Sequence, residues 1–396
     1  MEIISMTDND KYFNRLCELT MSSWSNNYSD NDDPYNSRGD RITFDFNLDG
    51  GKNEFIKYLE KYKCAGLLYS MLSNEESREL LVYLMAFWAM GETKIKIPLD
   101  KEGYLEALTR PSNYKITDIP DPTITCGEYT LGCYDLADVG IRNRLYATPP
   151  GIGSVWFLRQ YEYKSGTVKC KPEKGDIVID CGGSWGDTPL YFADQVGDSG
   201  EVFVFEFIPS HLKAIHRNIN LNPYLQNRIN IIPNPVWSIS GEKLYYVDWG
   251  PGSRLSSDPS RYNYDGTSIT LSIDDLVHDK KIKKVDYIKM DIEGAELDAL
   301  KGAERTILRD RPKLAISLYH SLEDFETIPN YLKSLGIGYT YYLGHYTLFE
   351  NETVLYAVPK KQGLMQKAHQ LLQLRYSLGK VVKFTKRSLS QNKDAQ

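Results

Sequence analysis

Gly175-Asp176-Ile177-Val178-Ile179-Asp180-Cys181-Gly182-Gly183-Ser184-Trp185-Gly186-Asp187 is the stretch that decides the fold. Ile177-Val178-Ile179 is too short for a helix and is rich in β-branched residues, so it predicts a strand buried on both faces. The run ends at Asp180, and three glycines follow within six residues. Residues 188–196 then form an apolar, helix-compatible segment. A strand, a glycine turn and a helix in that order make a ligand site. Glycine lets a ligand approach the backbone, and the helix N-terminus offers unpaired N–H groups.

Outward from this stretch toward the C-terminus, strands and helices alternate. Residues 201–206 read as a second strand closed by Glu206. Residues 209–222 suit a helix with Pro209 in its first turn. Residues 229–232 give a third strand, and residues 285–290 another that ends at Asp291. A helix is expected over 295–308. Residues 314–318, 328–335, 339–342 and 354–358 continue the alternation. Residues 243–247 and 268–271 read as peripheral strands around a polar loop at 249–266. This pattern predicts an α/β fold, an open sheet with helices on both faces. Ligands in such sheets bind at the carboxyl ends of the strands, where Asp180, Glu206 and Asp291 all fall.

Toward the N-terminus the texture is different. Residues 22–40 are polar and suggest a loop. Residues 53–62 have helical spacing. Ser73 with Glu76 fits a capping box before the apolar run at 80–90, and Gly91 is a stop. Residues 94–99 alternate like a half-buried strand, 100–108 suit a short helix, and 111–153 carry short β-like pieces. Residues 1–150 are therefore read as an α+β accessory region. They are followed by a catalytic domain over 151–359 and a basic tail over 360–396.

The chain has 396 residues and a formal net charge of −6, which gives no global case for nucleic-acid binding. The tail holds a net charge of about +8 and an approximately helical apolar period. Two readings stay open for it: a helix docked on the acidic body, or a basic amphipathic helix touching a membrane surface or a partner enzyme. Six scattered cysteines form no C-x-x-C pair, so a reducing compartment is the default. The first residues lack a signal peptide's basic start and apolar core, and the run at 80–90 is too short to span a bilayer. The expectation is a soluble, cytoplasmic protein.

Charge decides between cofactors. A dinucleotide site wants G-x-G-x-x-G, whereas the glycines here are spaced Gly182-Gly183-x-x-Gly186. Asp180, directly before them, would oppose a pyrophosphate. A carboxylate suits a cationic, phosphate-free ligand, and S-adenosylmethionine carries an ammonium and a sulfonium. Glu206 at the end of the second strand then suits its ribose hydroxyls.

Four motifs carry a resemblance. They are the stretch from Asp180 to Asp187, Phe205-Glu206-Phe207-Ile208-Pro209, Asn218-Ile219-Asn220-Leu221-Asn222, and Lys289-Met290-Asp291-Ile292-Glu293-Gly294-Ala295-Glu296. With the run from Pro312 to His320, they resemble the FkbM family of S-adenosylmethionine-dependent methyltransferases over about residues 155–358. The resemblance implies a Rossmann-like class I methyltransferase sheet and O-methylation. Cys181, Gly183 and Phe207 depart from the family's commoner residues. The N-terminal region and the tail lie outside the resemblance.

Methyl transfer to a hydroxyl requires an aligned nucleophile and a place for its proton. Asp291 is the candidate base, or with Glu293 the holder of a divalent cation that orients a diol. Glu293 and Glu296 also fit the simpler role of favouring a helix N-terminus. Lys289 is read as pairing with one of these acids or pointing to substrate. His320, at the end of the next strand, is a candidate base or substrate contact. The cofactor-binding set is Asp180, Gly182, Gly183, Trp185, Gly186, Asp187, Glu206 and Phe207. Asn234, Val236 and Trp237, after the third strand, join it on the adenine side. The loop at 249–266, with Arg254, Arg261, Tyr262 and Tyr264, is either a cover for a phosphorylated or glycosyl substrate or a solvated surface loop.

The expected protein O-methylates a sugar, a nucleotide-linked sugar or a surface-polysaccharide unit. A cofactor-binding scaffold without catalysis, and a methyltransferase for a lipid, natural product or nucleic acid, are the alternatives. An N/D-P-P-Y/F motif, which would hold an exocyclic amine, is absent after the strand that ends at Asp291.

Overall fold

A computed structural model of the chain describes residues 7–29, 51–261 and 263–360. At its centre is a seven-stranded sheet. In chain order its strands are β1 (Ile177–Cys181), β2 (Glu201–Phe205), β3 (Ile229–Ile232), β4 (Tyr287–Met290), β5 (Lys313–Ser317), β6 (Tyr339–His345) and β7 (Thr353–Pro359). Their spatial order is β6-β7-β5-β4-β1-β2-β3. β1 to β5 run parallel, and β7 enters antiparallel between β5 and β6. The chain order reverses at β1, which pairs with β2 on one side and β4 on the other. A crevice at the carboxyl end of this switch point is where such sheets hold ligands.

Alternation along the strands distributes their side chains between two cores. Ile179, Phe203, Phe205, Ile288 and Met290 enter one; Val178, Val202, Val204 and Tyr287 enter the other. Near-continuous apolar runs are what a sheet covered on both faces demands. Helix α1 (Asp187–Val196) follows β1 and helix α2 (Pro209–Leu221) follows β2. Both pack on the second core through Leu190, Phe192, Ala214 and Ile215.

The N-terminal helices Asp8–Ser22 and Glu75–Met90 pack into the first core through Tyr12, Leu16, Leu81 and Phe87. Their approach also seals a sheet edge. Ser73 exchanges hydrogen bonds with Tyr341 of edge strand β6: its N–H donates to the Tyr341 carbonyl at 2.9 Å, and its Oγ accepts from the Tyr341 N–H at 3.1 Å. The Ser77 hydroxyl accepts from the Leu343 N–H at 3.0 Å. Unpaired edge groups that would invite another chain are thereby satisfied.

This docking corrects one expectation. Ser73 does not cap the helix; Asn74 does, accepting from the Ser77 N–H at 3.2 Å, while Gly91 ends it at φ 78° as expected. Residues 94–99 bury Ile95 and Ile97 alternately but join no ladder. The helix expected over 295–308 is two, Glu296–Lys301 and Glu304–Asp310. It breaks where the Gly302 carbonyl accepts from the Asp274 N–H, at a position where a Cβ would lie 2.1 Å from the Trp237 carbonyl oxygen. Asp274 then caps the second piece, accepting from the Arg305 and Thr306 N–H groups. The 249–266 segment contains a strand, Arg254–Ser256, which joins Lys243–Val247 and Gly266–Ile269 in a small sheet. Among the described residues no helix is long and apolar enough to cross a membrane. The basic tail, Tyr262 and the polar segment from residue 30 to 40 lie outside the described residues.

Candidate active site

The glycine turn is shaped by what approaches it. Gly182 has φ 86°, and a Cβ there would sit 2.1 Å from the Asp291 carbonyl oxygen at the end of β4. Only glycine admits both. Gly183 and Gly186 serve packing instead: their Cβ positions meet Val204 and Ile215 beneath the turn. Gly186, at φ 101°, precedes α1. The N–H groups of Gly182 and Gly183 both donate to the Phe205 carbonyl, which ties the turn to the end of β2.

Asp180 does not face a ligand. It is fully buried, accepts from the Thr188 hydroxyl at 2.7 Å, and lies 3.3 Å from the Lys289 ammonium. The two residues are register partners in the paired strands β1 and β4. Lys289 also donates to the carbonyls of Cys181 at 3.2 Å and Gly182 at 2.6 Å. Burial opposes its charge, but Asp180 and Asp291 outweigh burial and hold the ammonium protonated. The pair braces the turn from below. The sequence reading of Asp180 as a direct partner of the cofactor's ammonium is corrected accordingly.

Two clefts open above the switch point. The first has about 560 Å³ of empty space and is walled by Phe205, Phe207, Ile208, Val236, Ile292 and Leu255. Asp291 and Glu293 line it, and so does Glu206. One Glu206 oxygen accepts from the N–H groups of Phe207 at 2.7 Å and Ile208 at 2.9 Å, and the other lies 3.3 Å from His211 Nδ1. Burial lowers the His211 pKa, but Glu206 and Asp248 raise it further, so the imidazole tends to stay protonated. Asn234 lines this cleft and donates to the Ile269 carbonyl. Gly250, Pro251 and Ser253, from the segment expected to cover a substrate, close one side of it. Trp237 does not line it: its N–H donates to the Leu271 carbonyl and its own carbonyl packs on Gly302. Among the described residues lining this cleft there is no lysine or arginine to meet a pyrophosphate. Apolar walls with the fixed Glu206 carboxylate, and Asp291 and Glu293 also lining the cleft, fit the adenosine of the cationic S-adenosylmethionine.

The second cleft is larger and more polar, with about 1190 Å³ of empty space. It shares Gly182, Ser184, Asp291 and Glu293 with the first, and adds Thr148, Tyr161, Trp185, Asp187, Lys289 and Tyr319. Trp185 is a wall here, tilted against Tyr129 and edge-on to His211. Asp187 opens α1, and burial pushes its carboxyl pKa up to about 6.

Asp291 stands where the clefts meet. Its Oδ2 accepts from the Tyr161 hydroxyl at 2.6 Å and its Oδ1 from the Tyr319 hydroxyl at 3.0 Å. Burial pushes the carboxyl up, but Lys289, His320 and both tyrosines outweigh it and hold it below the usual carboxylate range. His320 Nε2 lies 3.5 Å from Asp291 and 3.4 Å from Glu293, and Nδ1 lies 3.0 Å from Glu296. These acids, Glu296 foremost, overcome burial and raise the His320 pKa well above its ordinary value. An imidazole held protonated does not fit the base role expected from sequence.

Asp291, Glu296 and His320 could in principle hold a metal ion. Their carboxylate oxygens are already engaged. Both Glu296 oxygens accept backbone N–H groups, from Ile292 and Gly294, and both Asp291 oxygens accept phenol hydroxyls. One imidazolium does not neutralise three carboxylates, but every oxygen of Asp291 and Glu296 already accepts a hydrogen bond that a divalent ion would have to displace. Glu296 has the helix-entry role set against a catalytic one in the sequence. Tyr161, Tyr319, Gln160 and Glu352 were not singled out from sequence. Tyr319 adjoins His320 and Tyr161 lies in an aromatic run, so position offered a signal for those two alone.

Residues 173–339 match the methyltransferase FkbM domain. Among solved structures, the chain is similar to methyltransferase FkbM from Methylobacillus flagellatus KT, at 20% identity and a TM-score of 0.46, over 77% of this chain and 60% of that one. It is also similar to Aeropyrum pernix fibrillarin in complex with S-adenosyl-L-methionine, at 13% identity and a TM-score of 0.30, over 47% of this chain and 67% of that one. No curated protein matches the chain.

Proposed function

We propose, from the match of residues 173–339 to the methyltransferase FkbM domain, that the chain transfers a methyl group from S-adenosylmethionine to a hydroxyl of a neutral saccharide. The observation that carries the proposal is the meeting of two clefts at Gly182 and Asp291. One suits the donor's adenosine, and the other is roomy and polar enough for a sugar ring.

When bound, the cofactor supplies a methyl group on a cationic sulfur. The chain's residues do the rest. Glu206, fixed by two backbone N–H groups, accepts the ribose hydroxyls. Phe207 and Val236 enclose the adenine. Lys289 holds the turn by its carbonyls, so the turn does not rearrange when a ligand enters. Asp291, ionised and clamped by two tyrosines, places a fixed negative charge beside the cationic centre and orients the incoming hydroxyl. Such preorganised charge acts without reorganisation during the reaction.

The acceptor preference rests on charge. Asp187, Asp291, Glu293 and Glu352 line the second cleft against the single cation Lys289. A phosphorylated or nucleotide-linked sugar would meet net repulsion there, whereas hydroxyls find acceptors. This narrows the saccharide class expected from sequence. The scaffold alternative is disfavoured by Asp291, whose two oxygens are held by hydroxyl donors where the clefts join. The test is labelled S-adenosylmethionine incubated with neutral methyl glycosides and with nucleotide sugars. Label transferred only to nucleotide sugars would overturn the acceptor reading.

A further inference from the structure

Glu352 sits on the turn between β6 and β7, outside the matched domain, yet it lines the second cleft with Asp291, Tyr161 and Tyr319. Its placement is built. Its carbonyl accepts from the Tyr346 N–H at 3.1 Å, which closes the turn. One carboxyl oxygen accepts from the Gln160 side-chain amide. Gln160 is itself 3% exposed, and its carbonyl accepts from the Tyr356 hydroxyl. The backbone of Glu352 is left-handed at φ 56°. Ser184 at φ 43° and Glu293 at φ 57° share that conformation and that cleft. Non-glycine residues held in this region cost of order 1–3 kcal/mol each and cluster at functional sites.

We infer that Glu352 takes the proton from the acceptor hydroxyl, while Asp291 stays ionised and orients that hydroxyl. This rests on the methyltransferase reading above. The acceptor oxygen bonds to the methyl carbon. The carbon–sulfur bond breaks and leaves its electron pair on sulfur. The hydroxyl proton passes to the Glu352 carboxylate, which becomes a carboxylic acid and releases it to water through the cleft. The two acids differ as such a division requires. Burial, with repulsion from Asp291 and Glu293, pushes the Glu352 carboxyl up to about 8, against the opposing pull of Gln160 and His320. Tyr104, Tyr161, Tyr319, Tyr346, Lys289 and Asp187 are the other titratable groups lining this space. A carboxyl poised near neutral pH is an effective base, whereas Asp291, held low, is a poor one.

The test needs no known acceptor, because water can stand for the hydroxyl. S-adenosylhomocysteine release from S-adenosylmethionine is followed with no acceptor added, in full-length wild type, Glu352→Gln and Glu352→Asp, from pH 6 to 9.5. Wild-type release should rise with pH and level off above about pH 8. Glu352→Gln should lower it at least tenfold and abolish the rise, consistent with the ~10²–10⁴-fold contribution of general bases. Glu352→Asp should restore part of both. Calorimetric affinity for S-adenosylmethionine should be unchanged in both variants. Wild-type release and pH profile in Glu352→Gln would overturn the proposal, as would wild-type release no faster than buffer from protein that binds the cofactor. Failure of wild type to bind S-adenosylmethionine would instead overturn the donor reading.

Discussion

Lys289 and Asp180 are register partners on β4 and β1, and their side chains meet 3.3 Å apart beneath the glycine turn. Both are essentially buried. Removing one partner of such a pair leaves an uncompensated charge in a low-dielectric interior. Lys289→Met should therefore cost about 3–5 kcal/mol of stability, read from denaturant midpoints. The double variant Lys289→Met, Asp180→Leu should recover much of that loss while still binding S-adenosylmethionine poorly, because the carbonyls of Cys181 and Gly182 lose their clamp. Additive losses in the double variant would show that the two residues do not act as a pair.

In the proposed mechanism Asp291 orients the acceptor, so its loss should tell on the reaction more than on donor binding. Its carboxylate meets both clefts and is held ionised by Lys289, His320 and two tyrosines. Asp291→Asn keeps the shape and removes the charge. It should lower turnover by about 10²–10³-fold, in line with the loss of one preorganised electrostatic group. The cofactor's dissociation constant should move by less than about threefold, roughly 0.7 kcal/mol. A large loss of cofactor affinity with turnover preserved at saturation would move Asp291 into the donor site.

In the proposed mechanism Glu206 acts on the donor. Two backbone N–H groups fix one of its oxygens, at 2.7 and 2.9 Å, and aim the carboxyl along the first cleft. Hydrogen bonds to a charged acceptor contribute about 1.5–3 kcal/mol. Glu206→Ala should weaken S-adenosylmethionine binding by roughly 10–100-fold, measured calorimetrically, and turnover at saturating donor should fall little. Unchanged affinity would remove the carboxylate from the ribose.

His320 brings one positive charge into an acidic cluster. Glu296, Glu293 and Asp291 surround its imidazole at 3.0–3.5 Å. Exhaustive chelation should leave turnover unchanged, while His320→Gln should lower it. Its stabilising contribution has a definite sign. The folded-state pKa is raised, so the contribution is complete below the unfolded value near 6.5 and is lost as pH rises through the folded value. Wild-type stability should decline on the alkaline side more steeply than that of His320→Gln. Restoration of activity by added divalent ions after chelation would overturn this account.

How much of this was legible in the sequence depends on the range of each contact. β1, its glycines, Glu206 and Asp291 were readable because periodicity and glycine spacing are local signals. The pairing of Asp180 with Lys289 was half-readable: both sit at strand ends, but their register belongs to the sheet. The break at Gly302 was hidden, because its cause is a backbone approach from Trp237, 65 positions away in the chain. The false cap at Ser73 arose in the same way, since the edge of β6 competes for that hydroxyl. Glu352 carried no local signal, and Tyr161 carried only that of its aromatic run. Each belongs to the cleft only after the chain has closed across 130 residues or more to Asp291 or Gln160.

Glu352 also predicts a pH dependence of stability that is separate from its chemistry. An acid whose folded pKa is raised binds its proton more tightly when folded. The folded state is therefore favoured at low pH, and this advantage is lost as pH rises from the unfolded value near 4.5 through the folded value of about 8. Glu352→Gln removes the titration and keeps an amide in the same space. The variant should show a flatter stability curve between those limits and a higher melting temperature than wild type above about pH 8. The same substitution thus stabilises the alkaline protein while it slows turnover, a combination expected of a residue kept for function at a structural cost. If Glu352→Gln is less stable than wild type at every pH, the carboxyl is a structural partner of Gln160, and its burial is not a stored charge waiting for a proton.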